Sequence, residues 1–174
     1  GGSFDDIPRE GPLVVIANHP YGILDGLMLG HLLSRTRGEF RILAHQVFRR
    51  APDLQRIILP ISFDETREAQ AVNLETRKAA LGFLAGGGAI GVFPGGTVST
   101  ALKPFGQAPP HNEFTLREGA PVPIVNGRPL DPSVLAAHAG DARALMDFLR
   151  TETYRLSRDP IDDLGYGFEF EDLR

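Results

Sequence analysis

Residues 17–25, Ala-Asn-His-Pro-Tyr-Gly-Ile-Leu-Asp, place a histidine and an aspartate within one short stretch. If the chain turns back between them, the carboxylate takes one ring nitrogen of His19 and leaves the other free as a general base. The same two residues have a plainer reading, in which Asp25 favours a helix N-terminus and His19 is a satisfied loop residue. A second stretch, residues 91–100, reads Gly-Val-Phe-Pro-Gly-Gly-Thr-Val-Ser-Thr and joins two adjacent glycines to three hydroxyls. Backbone N–H groups exposed by glycine can hold a phosphate or a developing oxyanion, although a tight turn explains the glycines equally well. Gly91 and Gly96 have the spacing of a Walker A loop, but Thr97 stands where its lysine belongs. A phosphate- or nucleotide-binding α/β protein is therefore a weak alternative.

Other chemistries are excluded by what the chain lacks. Ser99 has no G-x-S-x-G context, so covalent catalysis through serine is disfavoured. The absence of cysteine removes thiolate nucleophiles, disulfides and cysteine-ligated zinc. His31, His45, His111 and His138 show no metal-ligand spacing and there is no H-E-x-x-H, so neither a metal nor any other cofactor is expected. His31 lies beside the apolar stripe of a helix, where a core role is the expectation. Formal charge is -4, but it is concentrated in the acidic stretch 159–174, and the remainder is close to neutral. No basic stripe marks a nucleic-acid partner. Arginine far outnumbers lysine, which favours planar, bidentate contacts to anions wherever such contacts occur. The longest purely apolar run, Leu13 to Ala17, is far short of the roughly 20 residues that a spanning helix requires.

The elements that must position these residues alternate. Pro12 to Ala17 reads as a buried strand, and Leu24, Leu27, Met28 and Leu32 recur at helical spacing until Gly38. Residues 40–45 predict a second strand and Arg56 to Phe63 a third, with Pro52 breaking a brief helical piece between them. A long helix over 66–85, capped by Asp64, carries Val72, Leu74, Leu81 and Leu84 and ends at Gly86-Gly87-Gly88. Ala89 to Phe93 follows as a strand. This alternation predicts an α/β fold, a mostly parallel central sheet flanked by helices, with sites at the strands' C-terminal ends. Half of all glycine and proline falls within 86–132, so that stretch is loop-rich. Val122 to Val125 reads as a late strand, and Asp141 as the cap of an amphipathic helix with Leu145, Leu149 and Leu156 on one face. Residues 1–6 read as a leader or cloning remnant and 7–158 as a single domain. Residues 159–174 form an acidic tail or an edge strand.

The pair of blocks, Asn18-His19 through Asp25 and then Phe93-Pro94-Gly95-Gly96-Thr97-Val98-Ser99, resembles the glycerolipid and lysophospholipid acyltransferase superfamily, whose blocks are N-H-x(4)-D and F-P-E-G-T-R-S. The five residues between His19 and Asp25 most resemble the hemolysin-like branch, related to ornithine-lipid acyltransferases. The resemblance covers residues 7–105 best. It implies a fold like that of glycerol-3-phosphate acyltransferase. It also implies O-acyl transfer from a thioester, acyl carrier protein or acyl-CoA, to a hydroxyl of a lipid acceptor. His19 would be the general base and Asp25 its support, while Gly95, Gly96, Thr97 and Ser99 would line the substrate and oxyanion region.

Departures from the pattern shape the expected acceptor. Gly95 and Val98 stand where the superfamily has Glu and Arg, so the arginine that grips a phosphate-bearing acceptor is absent. A lysolipid or lyso-amino-acid lipid fits better than glycerol 3-phosphate, with Arg56 and Lys103 as alternative cations or as solvated surface residues. The lost Glu and Arg also admit a second reading, a catalytically impaired domain that binds a lipid or an acyl carrier. Pro104 to Pro121 is shorter than the corresponding connection in the family. The resemblance implies a cytoplasmic protein in peripheral contact with the inner face of the membrane, with weak binding expected from the shortened chain.

Overall fold

The computed structural model describes residues 3–19, 21–94, 119, 121 and 124–156. They fall into two compact units, one of Gly1–Ile7, Ile16–Leu27 and Phe93–Arg174, the other of Pro8–Val15 and Met28–Val92. The second unit holds most of a four-stranded sheet. Its strands are β1 (Leu13–Ile16), β2 (Phe40–His45), β3 (Ile58–Ile61) and β4 (Ala89–Val92), in the spatial order β1-β4-β2-β3. β2 runs parallel to both neighbours, with Ile42 opposite Ile58 on one side and Gly91 on the other. The crossovers are α1 (Ile23–Thr36) between β1 and β2, and α2 (Arg67–Ala85) between β3 and β4. The chain is thus the expected α/β fold with a parallel sheet flanked by helices.

Side-chain size explains how α1 packs. Its most buried residues are Asp25, Leu29, Leu32 and Leu33, positions that helical spacing keeps on one side. A Cβ on Gly91 would come within 2.7 Å of the Leu29 side chain, so a side chain at residue 91 would force Leu29 to shift. Position 31 points the other way. His31 is therefore exposed rather than in the core, and Leu27, one of the four residues of the expected stripe, is 49% exposed.

The inner face of α2 is more polar than its apolar spacing implied. Ala69 and Thr76 are its buried residues, whereas Leu74 and Leu81 face outward. Asn73 receives a hydrogen bond from the Ser62 N–H at 2.9 Å and donates to the Ser62 carbonyl at 2.9 Å, and Thr76 donates to the Pro60 carbonyl. These bonds fasten the helix to the end of β3. The cap of α2 is Thr66, whose hydroxyl accepts from the Ala69 N–H at 3.1 Å. Asp64 instead accepts from the Ser62 hydroxyl, because the helix begins three residues beyond it. At the other end Gly87 has φ +86°, and the N–H groups of Gly87 and Gly88 return to Leu84 and Phe83. This is a Schellman closure, which needs a residue at ease with positive φ.

Other boundaries also differ from expectation. β3 is shorter than Arg56–Phe63, since a turn precedes it in which the Ile57 N–H bonds to the Leu54 carbonyl. Two 3-10 turns, Gln46–Arg50 and Pro52–Leu54, replace the brief helical piece. Arg37, just past α1, donates to the carbonyls of Pro8, Gly11 and Gly87, gathering three loop segments on one guanidinium.

In the first unit, α3 (Pro132–Ala136) and α4 (Ala142–Tyr154) are the helices among the described residues after β4. Asp141 caps α4 as expected, accepting from the Ala144 N–H at 2.9 Å. α3 is an additional element, capped by Asp131, whose carboxyl is held below its ordinary pKa by hydrogen bonds from the Ser133 side chain and N–H. The expected strand Val122–Val125 lies partly outside the described residues. Ile124 and Val125 are not in a strand; Asn126 makes an isolated bridge, and its side chain donates to the Ser3 carbonyl at 2.8 Å. The alternating stretch 166–170 and the acidic tail lie outside the described residues. Among the described residues no helix is long and apolar enough to cross a membrane.

Candidate functional site

The loop after β1 brings His19 and Asp25 together. Gly22 adopts φ +63°, a left-handed conformation natural to glycine, and the Asp25 N–H bonds to the Gly22 carbonyl at 3.2 Å as α1 begins. This turn directs the Asp25 side chain back over the loop. One oxygen, Oδ2, accepts from the Tyr21 N–H at 2.7 Å and lies 3.1 Å from His19 Nδ1. An ionised carboxylate can only accept, so Nδ1 carries the proton and the lone pair of the neutral ring sits on Nε2. Asp25 also stands in the first turn of α1, where a negative charge is favoured by the helix dipole. The plain and the chemical readings of this aspartate are therefore compatible.

Burial separates the two partners. The Asp25 side chain is 9% exposed and that of His19 19%. The carboxylate is withdrawn from solvent while the imidazole retains an approach. A buried charge needs partners, and the Tyr21 N–H and the imidazole supply two.

A third contact joins them. The Phe93 ring stacks on His19 with ring centroids 4.2 Å apart and planes inclined by 19°. Phe93 directly follows β4, and the sheet order sets β4 beside β1, so the residues leaving these two strands are neighbours although 74 positions apart in the chain. His19, Tyr21, Asp25 and Phe93 all belong to the first unit. Sequence reasoning did not single out the Tyr21 N–H, the turn at Gly22 or the face of Phe93. Gly22, four residues into Asn-His-Pro-Tyr-Gly, was a readable sign of the turn; the stack depends on strand order and had no local signal.

Of the other expected site residues, Arg56 is exposed in the turn ahead of β3, at that strand's N-terminal end. Gly95, Gly96, Thr97, Ser99 and Lys103 lie outside the described residues. Among the described residues no three histidine or acidic side chains gather as metal ligands would. The pair can thus accept a proton at Nε2 and share the resulting charge with a carboxylate fixed by the main chain.

A family model described as Acyltransferase matches residues 3–147. No curated protein and no solved structure matches the chain.

Proposed function

The chain belongs to the acyltransferase family, enzymes that transfer acyl groups, and from that premise we propose that it moves a fatty acyl group from a thioester donor to a hydroxyl of a lipid acceptor, with His19 as general base and Asp25 as its support. The observation that carries this reading is the 3.1 Å contact between His19 Nδ1 and Asp25 Oδ2. Nε2 takes the acceptor's hydroxyl proton as that oxygen attacks the thioester carbonyl carbon. A tetrahedral oxyanion forms; its collapse breaks the C–S bond, and the leaving thiolate recovers the proton from Nε2. The products are an ester and a free thiol. Asp25 stabilises the imidazolium while the proton is in transit. The donor is acyl carrier protein or coenzyme A, and Gly95 and Gly96 supply backbone N–H groups to the oxyanion, a contribution typically about 3 kcal/mol per donor.

The acceptor is a lysolipid or lyso-amino-acid lipid, in keeping with Val98 where the superfamily pattern has arginine. The five residues between His19 and Asp25 support a reading of the chain as one of the hemolysin-like branch, related to ornithine-lipid acyltransferases. A lipid acceptor calls for peripheral contact with the inner face of the membrane. The test is thiol release by purified protein supplied with acyl donor and lysolipid. His19→Ala should lower turnover roughly 100- to 10,000-fold while the melting curve stays in place; full turnover by that variant would refute the assignment. A second reading, lipid or acyl-carrier binding without chemistry, is favoured by Gly95 and Val98 at the Glu and Arg positions of the pattern. It predicts binding that is indifferent to His19→Ala and no turnover in either protein.

A further inference from the structure

We infer that Phe93 is a positioning residue for the base, holding the imidazole of His19 by its face so that Nε2 presents in one direction; the inference rests on the proposed role of His19. The argument begins with what Asp25 cannot do. The bond to Cβ and a single hydrogen bond at Nδ1 hold one edge of the ring, but they leave it room to rock about that edge. The ring's distal nitrogen then sweeps an arc, although a general base must lie within hydrogen-bond reach of the proton it removes.

The stack removes that freedom. With centroids 4.2 Å apart and planes inclined by 19°, the phenyl ring covers one face of the imidazole and blocks rotation towards it. Edge and face are then both held: the Nδ1 edge by Asp25 Oδ2, itself pinned by the Tyr21 N–H, and one face by Phe93. The His19 side chain keeps 19% of its surface exposed, which leaves an approach for the substrate. The nearly parallel stack also suits the charged ring, since a cation over an aromatic face is stabilised by the ring quadrupole. The developing imidazolium therefore gains from Phe93 at the same moment as it gains from Asp25.

Position matters as much as contact. Phe93 is the first residue after β4 and only two residues ahead of Gly95 in the sequence. The strand end that steadies the base thus leads directly into the segment assigned above to the oxyanion. Leu or Met in its place would fill a similar volume without presenting a flat face.

The test compares aliphatic and aromatic replacements in the full chain. Phe93→Leu and Phe93→Met should lower kcat about 10- to 100-fold with KM within about twofold, the loss expected when a catalytic group is slightly misplaced. Phe93→Tyr should restore most of kcat. In proton NMR the ring hydrogens of His19, identified by their loss in His19→Ala, should lie upfield through the Phe93 ring current. They should move downfield in both aliphatic variants and stay upfield in Phe93→Tyr. Unchanged kcat in a folded aliphatic variant would overturn the inference. So would a rise in KM that accounts for the whole loss, or the absence of an upfield shift. Should His19→Ala retain turnover, the base assignment itself fails, whereas loss of turnover in His19→Ala with no effect at position 93 removes only the role of Phe93.

Discussion

Helices α1 and α2 both bury polar side chains, and the partners of those side chains separate scaffold from chemistry. On α2, Asn73 and Thr76 bond to main-chain groups of Ser62 and Pro60. Their hydrogen-bonding capacity is directed at groups that do not titrate, and the result is a fastened helix. On α1, the buried Asp25 divides its attention: one donor is the Tyr21 N–H, but the other is an imidazole, a ring able to take up a proton at its second nitrogen. A carboxylate withdrawn from water and joined to a partly accessible histidine is an uneconomical way to hold a loop. It is an apt way to favour a transient positive charge.

Replacement of these polar groups should therefore have opposite signatures. Asp25→Asn keeps the shape but loses the negative charge, and thiol release should fall roughly 100- to 10,000-fold with little change in thermal stability. Comparable losses in stability and turnover would dissolve the contrast between the two helices. Asn73→Ala leaves the Ser62 N–H and carbonyl without their partner in a site where Ser62 is 4% exposed. Each of the two orphans costs about 1–3 kcal/mol, so a fall in Tm of roughly 4–24 °C is expected by calorimetry for a chain of this size, with turnover per folded molecule unchanged. Loss of the Thr66 cap is the smallest of these effects. Thr66→Ala should cost about 1 kcal/mol in denaturant unfolding, whereas an equal or larger loss in Asp64→Ala would restore Asp64 as the cap.

Much of the fold was legible because local rules decide it. The alternation of strand and helix, the glycine stop after α2 and the Asp141 cap all follow from residues within a turn of each other. Leu74 and Leu81 misled because apolar residues recur on two sides of α2. The side that packs is chosen by the tertiary partners of Asn73 and Thr76, which no helical period reveals. His31 misled for a related reason: the buried side of α1 includes Asp25, which a hydrophobic pattern omits. In the candidate site, His19 and Asp25 were readable from residue type, spacing and their place between a strand and a helix. Phe93 was quoted as part of a block, but its aromatic face became meaningful only when the sheet order brought β4 beside β1.

The Oδ2 atom of Asp25 serves two donors, and only one of them takes part in the proposed reaction. The Tyr21 N–H belongs to the loop and keeps its bond whatever the charge of the imidazole. In the proposed reaction the histidine alternates between neutral and cationic forms, whereas the carboxylate stays fixed on the Tyr21 N–H. The reference point for the ring's Nδ1 edge is therefore set by the backbone between residues 21 and 25.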